Sequence, residues 1–256
     1  MSCRAPVPPL DPLFDRWPAG QVIHVIHDTA FAPESFNPGV DAAGQLRKPT
    51  RFAPIHDARG QVVPYLYGGA TLDCAIFETV FHAVPIDAPD KFVDLDDFAQ
   101  RGHGELVPAR DLKLVGLTSE GLHRLKVPKQ ELIASPSRDY RDTALWAQAL
   151  HRQFGDIDGL LWMSRQRDRD PALVLFGDRL AGVLGGRRWH GTPACAIRCW
   201  LRRCALASRR TKRRRRGSGE ATGCGGRAKP RRRGRWGRLP TARCGGGGPS
   251  GRFRRP

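Results

Sequence analysis

The sequence predicts a mixed α+β domain followed by a basic tail of a different kind. Two observations carry the α+β reading. Short β-branched runs bounded by Gly, Pro or Asp are interspersed with stretches of helical apolar spacing. Those runs are too short and too mixed for an all-helical or a membrane-spanning chain. A third observation separates the tail: residues 187–256 hold 23 Lys plus Arg and one acid, Glu220, whereas residues 1–186 hold 20 basic and 24 acidic residues. The overall charge of +18 therefore belongs to the last quarter, and the rest is mildly acidic at −4.

Residues 1–19 read as an irregular lead-in, because Pro6, Pro8, Pro9, Pro12 and Pro18 interrupt regular structure. Val22 to His27 is a β-branched strand between Gly20 and Asp28. Residues 31–50 carry Pro33, Pro38, Gly39, Gly44 and Pro49 and read as a long loop, a kind of segment often used for function. Arg51 and Phe52 follow, then a turn around Asp57–Gly60 and a strand from Val62 to Tyr67, ended by Gly68 and Gly69. Thr71 is a fitting N-cap, with Asp73 in the first turn of a helix running from Leu72 to about Val84. That helix is apolar nearly all round, so it is buried on more than one side, and its polar members Glu78 and His82 call for a partner or a task.

Further strands are expected at Lys91–Leu95, Leu112–Leu117, Leu160–Met163 and Ala172–Phe176. Ser135-Pro136 reads as the N-cap and first residue of a helix that carries Tyr140, Ala144, Leu145, Ala149 and Leu150 at helical spacing. A charged loop, Gln166 to Asp170, joins the last two strands. The main domain is thus 20–186, and 187–256 is a disordered Arg/Gly-rich tail, whose composition equally fits a GC-rich gene read out of frame.

Only Cys3 and Cys74 precede the tail, which gives no disulfide framework and fits a reducing compartment. With no apolar h-region at the N-terminus and no apolar run near the ~20 residues of a membrane helix, a soluble cytoplasmic protein is expected. The tail cysteines lack paired CxxC spacing, so no metal is expected. No GxGxxG, Walker loop or HExxH occurs, which removes support for a Rossmann enzyme, an NTPase or a zinc protease.

Five separated pieces carry a family resemblance. They are Arg51-Phe52-Ala53-Pro54, Tyr65-Leu66-Tyr67-Gly68-Gly69 with Glu78-Thr79-Val80-Phe81-His82, and Ser164-Arg165-Gln166, closed by Ala172 to Arg179. Together they resemble the RES-domain family of bacterial toxins over about residues 20–184. The family is named for an Arg, a Glu and a Ser, matched here by Arg51, Glu78 and Ser164. The match departs from the family in two places: His24 and His27 stand where an Arg-containing strand is usual, and the stretch from Arg51 to Tyr67 is long.

The resemblance implies an ADP-ribosyltransferase-like split β core with flanking helices around a cleft that holds NAD. It implies cleavage of the nicotinamide–ribose bond by a glycohydrolase or phosphorylase, with NAD as substrate, inorganic phosphate as a candidate co-substrate and no resident cofactor. It also implies an Xre-type antitoxin as partner, in a toxin–antitoxin pair; a homo-oligomer is compatible. Such cleavage builds positive charge on the ribose, which a carboxylate such as Glu78 stabilises. Arg51 offers a planar fork to the pyrophosphate, Ser164 a hydroxyl donor, and Tyr67 a ring to stack on nicotinamide, with Tyr65 its rival by type.

Each residue also has a structural reading: a surface arginine, a solvated helix-edge acid, a turn-capping serine, a packed tyrosine and, for His82, a satisfied histidine. Two other functions use the same chain. One is a mono-ADP-ribosyltransferase acting on a protein through the same residues. The other is a nucleic-acid-binding protein acting nonspecifically through the tail.

Overall fold

The computed structural model describes residues 3–80, 100–165 and 169–188. Its strands are β1 (Leu13–Trp17), β2 (Ile23–Asp28), β3 (Ile55–His56), β4 (Val62–Val63), β5 (Tyr65–Gly69), β6 (Arg101–Pro108), β7 (Leu112–Gly116), β8 (Gly159–Met163), β9 (Pro171–Phe176) and β10 (Leu184–Arg188). Its helices are α1 (Leu72–Thr79), α2 (Ser119–Arg124), α3 (Lys129–Leu132) and α4 (Tyr140–Gln153). The mixed α+β class follows directly. Eight strands form one sheet in the order β1-β7-β8-β9-β5-β2-β6-β10, and β3 pairs with β4 apart from it.

Every neighbouring pair in the large sheet is antiparallel except β7 with β8. A parallel pair needs a crossover, and α2, α3 and α4 supply it. The central strands are buried on both faces, which is why Leu160-Leu161-Trp162 and Leu173-Val174-Leu175-Phe176 read as unbroken apolar runs. Leu160, Trp162, Val174 and Phe176 face a core closed by Trp146, Ala147 and Leu150 of α4. Leu161, Leu173 and Leu175 face the other side, with Ile23, Val25, Leu106 and Leu114.

α1 forms as expected at its start, where Thr71 Oγ1 accepts from Cys74 N at 3.1 Å. The helix lies directly on β5. A Cβ at Gly69 would stand 2.9 Å from both Cys74 Cβ and Ala75 N, so this glycine permits the approach. Gly68 and Gly69 are themselves strand residues, and β5 ends on them.

The structure corrects several other expectations. The stretch 1–19 is not wholly irregular, because Leu13–Trp17 fits between Pro12 and Pro18 as an edge strand paired with β7. β6 was not foreseen, since Arg101–Pro108 has two glycines and polar residues; β2 and β10 hold it from both sides. Ser135-Pro136 does not open the long helix. Ser135 Oγ donates to Leu132 O, a 3₁₀ turn spans Ser137–Asp139, and α4 begins at Tyr140. The domain does not stop at 186, because β10 pairs with β6 through Arg188 opposite Gly104. The expected strand at 91–95, His82, residues 166–168 and the tail beyond Arg188 lie outside the described residues.

Candidate active site

Glu78 sits in the last turn of α1, which packs against β5, β2 and β9. Opposite it stands Arg51, at the end of the long loop. Arg51 Nη1 lies 3.6 Å from Glu78 Oε2, with 7% and 6% of the side chains exposed. Two opposite charges removed from water are costly unless they answer each other. The backbone around Arg51 is held by α4: Thr143 donates its hydroxyl to Arg51 O, and the guanidinium carbon lies 5.5 Å from the centre of the Tyr140 ring. Arg51 Nε is enclosed without a hydrogen-bond acceptor.

Tyr67 fixes the same segment from below. Its hydroxyl accepts from Phe52 N at 3.1 Å and lies 3.0 Å from Thr50 Oγ1. Thr50 Oγ1 donates its own proton to Ala53 O at 3.0 Å, which leaves Tyr67 as donor to Thr50. Burial raises the pKa of the Tyr67 phenol, with the Thr50 and Phe52 contacts opposing. Its ring is half-buried and meets Trp162 edge-on, with centroids 6.1 Å apart. Tyr65 is more deeply buried, at 5% exposure, and its ring packs edge-on against Tyr67. The sequence left the two tyrosines as rivals; both reach the Thr50 hydroxyl, and Tyr67 also accepts from Phe52 N.

Ser164 follows β8 and is fully buried. Its backbone nitrogen donates to Asp170 O at 3.1 Å, and its hydroxyl meets the Cys74 thiol. Beside it lies Cys74 of α1, whose thiol approaches Pro171 O at 3.4 Å. Burial pushes this thiol up to about 12, Glu78 and Asp170 push it the same way, and the Ser164 hydroxyl pulls it down. Asp170 also accepts from the Thr71 hydroxyl at 3.1 Å, tying the Ser164 turn to the start of α1.

Of the four residues singled out by sequence, Arg51 and Glu78 thus meet directly. Tyr67 holds the Thr50 hydroxyl and the Phe52 backbone N–H on either side of Arg51, and Ser164 reaches the helix of Glu78 through Cys74. Sequence reasoning missed Thr50, Tyr140, Thr143 and Trp162. Trp162 Nε1, like Arg51 Nε, is an enclosed donor without a hydrogen-bond partner. Buried donors of this kind are costly when unmet, and the Arg51 guanidinium that carries one of them also faces Glu78. An acid held by an arginine can stabilise a developing cation while the remaining N–H groups of the arginine bind anionic oxygen.

The RES domain family matches residues 22–192. No curated protein sequence matches the chain. Among solved structures, the M. tuberculosis MbcT–MbcA toxin–antitoxin complex is similar at 13% identity, covering 72% of this chain and 90% of that one, with a TM-score of 0.47.

Proposed function

The chain belongs to the RES domain family, and from that membership we propose that it is an NAD-degrading toxin cleaving the nicotinamide–ribose bond. The observation that carries this reading is the buried Arg51–Glu78 pair, an acid held in place within an apolar setting. Departure of nicotinamide leaves positive charge on the ribose, and Glu78 stabilises that charge. Arg51 orients Glu78 through Nη1 and turns its remaining N–H groups, Nε among them, to the diphosphate oxygens. Ser164 Oγ adds a donor to phosphate or ribose, and the half-buried Tyr67 ring covers the nicotinamide. Tyr67 also keeps the Arg51 segment in register through its hydroxyl.

Toxicity of this kind is restrained by a partner, which we take to be an Xre-type antitoxin, and the reaction takes place in the cytoplasm, where NAD is at hand. No helix among the described residues is long and apolar enough to cross a membrane. The test incubates the full chain with NAD, with and without phosphate, and identifies the products. Free nicotinamide is expected in both arms, with ADP-ribose the co-product of water and ADP-ribose-1-phosphate that of phosphate. Transfer of ADP-ribose to protein in place of either would favour a mono-ADP-ribosyltransferase. No release of nicotinamide under any condition would overturn the proposal.

A further inference from the structure

β2 and β6 run side by side, and their register puts His24 directly opposite Glu105. His103 lies two residues before Glu105 on β6, and alternation along a strand brings both to one face. Ile23 and Val25 take the other face and enter the core there. His24 is also paired with Gly69, the residue on which α1 rests, so the three side chains share the face of the sheet that α1 covers.

The two imidazoles stack with centroids 5.2 Å apart and an interplanar angle of 16°. His24 Nδ1 and His103 Nε2 are 3.0 Å apart. One donor atom from each of His24, His103 and Glu105 lies within 4.8 Å of the other two. His103 is buried, while His24 and Glu105 keep part of their surface open. None of the three takes part in the Arg51–Glu78 chemistry described above.

We propose that His24 Nδ1, His103 Nε2 and the Glu105 carboxylate form a binding site for a divalent transition-metal ion of the Zn2+ class. Two imidazoles and one carboxylate suit Zn2+ and its first-row neighbours, and disfavour Mg2+ and Ca2+, which seek oxygen. Ligand atoms on one tetrahedral Zn2+ stand roughly 3.3 Å apart. The two ring nitrogens are already near that spacing, and the carboxylate closes the remainder by rotating about its own side chain. Binding replaces the proton that links the two rings: it moves to the outer nitrogen of its own imidazole, so both rings stay neutral and both lone pairs face the ion. Three protein donors leave at least one coordination position for water or for an oxygen of a small ligand, the pattern of an open site.

The test uses the full chain with its accessible thiols first capped by N-ethylmaleimide, which removes cysteine sulfur as a competing donor. Zn2+ binding is measured by titration calorimetry and by metal content after gel filtration. Melting temperature is read with Zn2+ and with a chelator. The wild type is expected to hold one ion per chain and to melt higher with Zn2+, since an ion bound only by the folded state stabilises it. Glu105→Gln and His24→Gln, both at partly open positions, are each expected to weaken binding by at least about tenfold and to abolish the Zn2+-dependent rise in melting temperature. The rise reports folded protein in its own right, so a variant that melts normally in chelator but ignores Zn2+ supports the site. A wild type that holds no ion, or either variant binding as the wild type does, would overturn it and leave the pair as an imidazole–imidazole hydrogen bond.

Discussion

Arg51 Nη1 and Glu78 Oε2 are 3.6 Å apart, beyond the ~2.7–2.9 Å of a charge-assisted hydrogen bond, although both side chains are almost fully buried. The pair is thus held as an ion pair without a direct hydrogen bond, close enough for each charge to orient the other. Glu78→Gln keeps the shape and deletes the charge, so NAD cleavage is expected to fall by on the order of a hundredfold or more. The fold should persist with lower stability, because an arginine loses its buried counter-charge. Nicotinamide release and a denaturant melt read the two effects separately; near wild-type release by a folded variant would remove Glu78 from the chemistry.

Arg51→Lys preserves charge but loses the planar fork and the face turned to Tyr140. A higher KM for NAD is expected, joined by a lower kcat if the fork acts chiefly in the transition state. Unchanged constants would place Arg51 outside the site.

Tyr67→Phe separates two roles of one side chain. The ring stays, while Phe52 N loses its acceptor and Thr50 Oγ1 its donor. Leaving such groups unmet costs about 1–3 kcal/mol, so the variant should melt lower and use NAD less well. Full activity in Tyr67→Phe with loss in Tyr67→Ala would assign the ring alone to the site.

Cys74 and Cys3 are both buried, and burial, the largest influence on each, pushes their thiols up to about 12 and about 11. At pH 8 the thiolate fraction of Cys74 is then on the order of one in ten thousand. Native protein treated with iodoacetamide should carry no label at either position by peptide mass mapping, and denatured protein should carry it at both. Rapid native labelling of Cys74 would show that the start of α1 opens far more often than its packing implies.

Shortening the chain tests where the domain ends. Protein ending at residue 192, the limit of the family match, keeps all of β10 and should turn over NAD like the full chain. Protein ending at 182 loses β10 and leaves one edge of β6 unpaired, so it should melt lower. Removing 193–256 should also abolish salt-sensitive DNA binding, because those residues hold most of the basic excess. A folded but inactive 1–192 protein would make the remainder part of the enzyme.

Much of this architecture could be read from residue pattern alone. The cap at Thr71, the apolar α1 and the unbroken runs of β8 and β9 are local signals, and each appears where expected. Glu78 stands out as an acid on an apolar helix, whereas Arg51 and Ser164 are marked only by motif likeness, because nothing in their immediate neighbours distinguishes them from surface residues. The supports of Arg51 were hidden for a different reason. Tyr140 and Thr143 come from a helix some ninety residues away, and spacing along the chain carries no trace of that contact. β6 was missed because its stability comes from two neighbouring strands, not from its own composition. The His103-x-Glu105 alternation was visible in the sequence, but it gains meaning only once His24 is known to lie across from it.

The place of β9 between β8 and β5 sets a schedule for synthesis. β5 precedes α1 and the Glu78 side of the site, β8 leads into Ser164, and the sheet joins them only through Pro171–Phe176. Most ladders here unite strands far apart in sequence: β1 with β7, β2 with β6, β5 with β9. Chains of such high contact order fold slowly, on a scale of roughly milliseconds to seconds. A nascent chain leaving the ribosome therefore cannot complete this sheet until β9 has emerged, and the two halves of the site stay apart during most of translation. On the function proposed above, no active molecule exists before β9 has been made, because the Glu78 and Ser164 sides of the site come together only then.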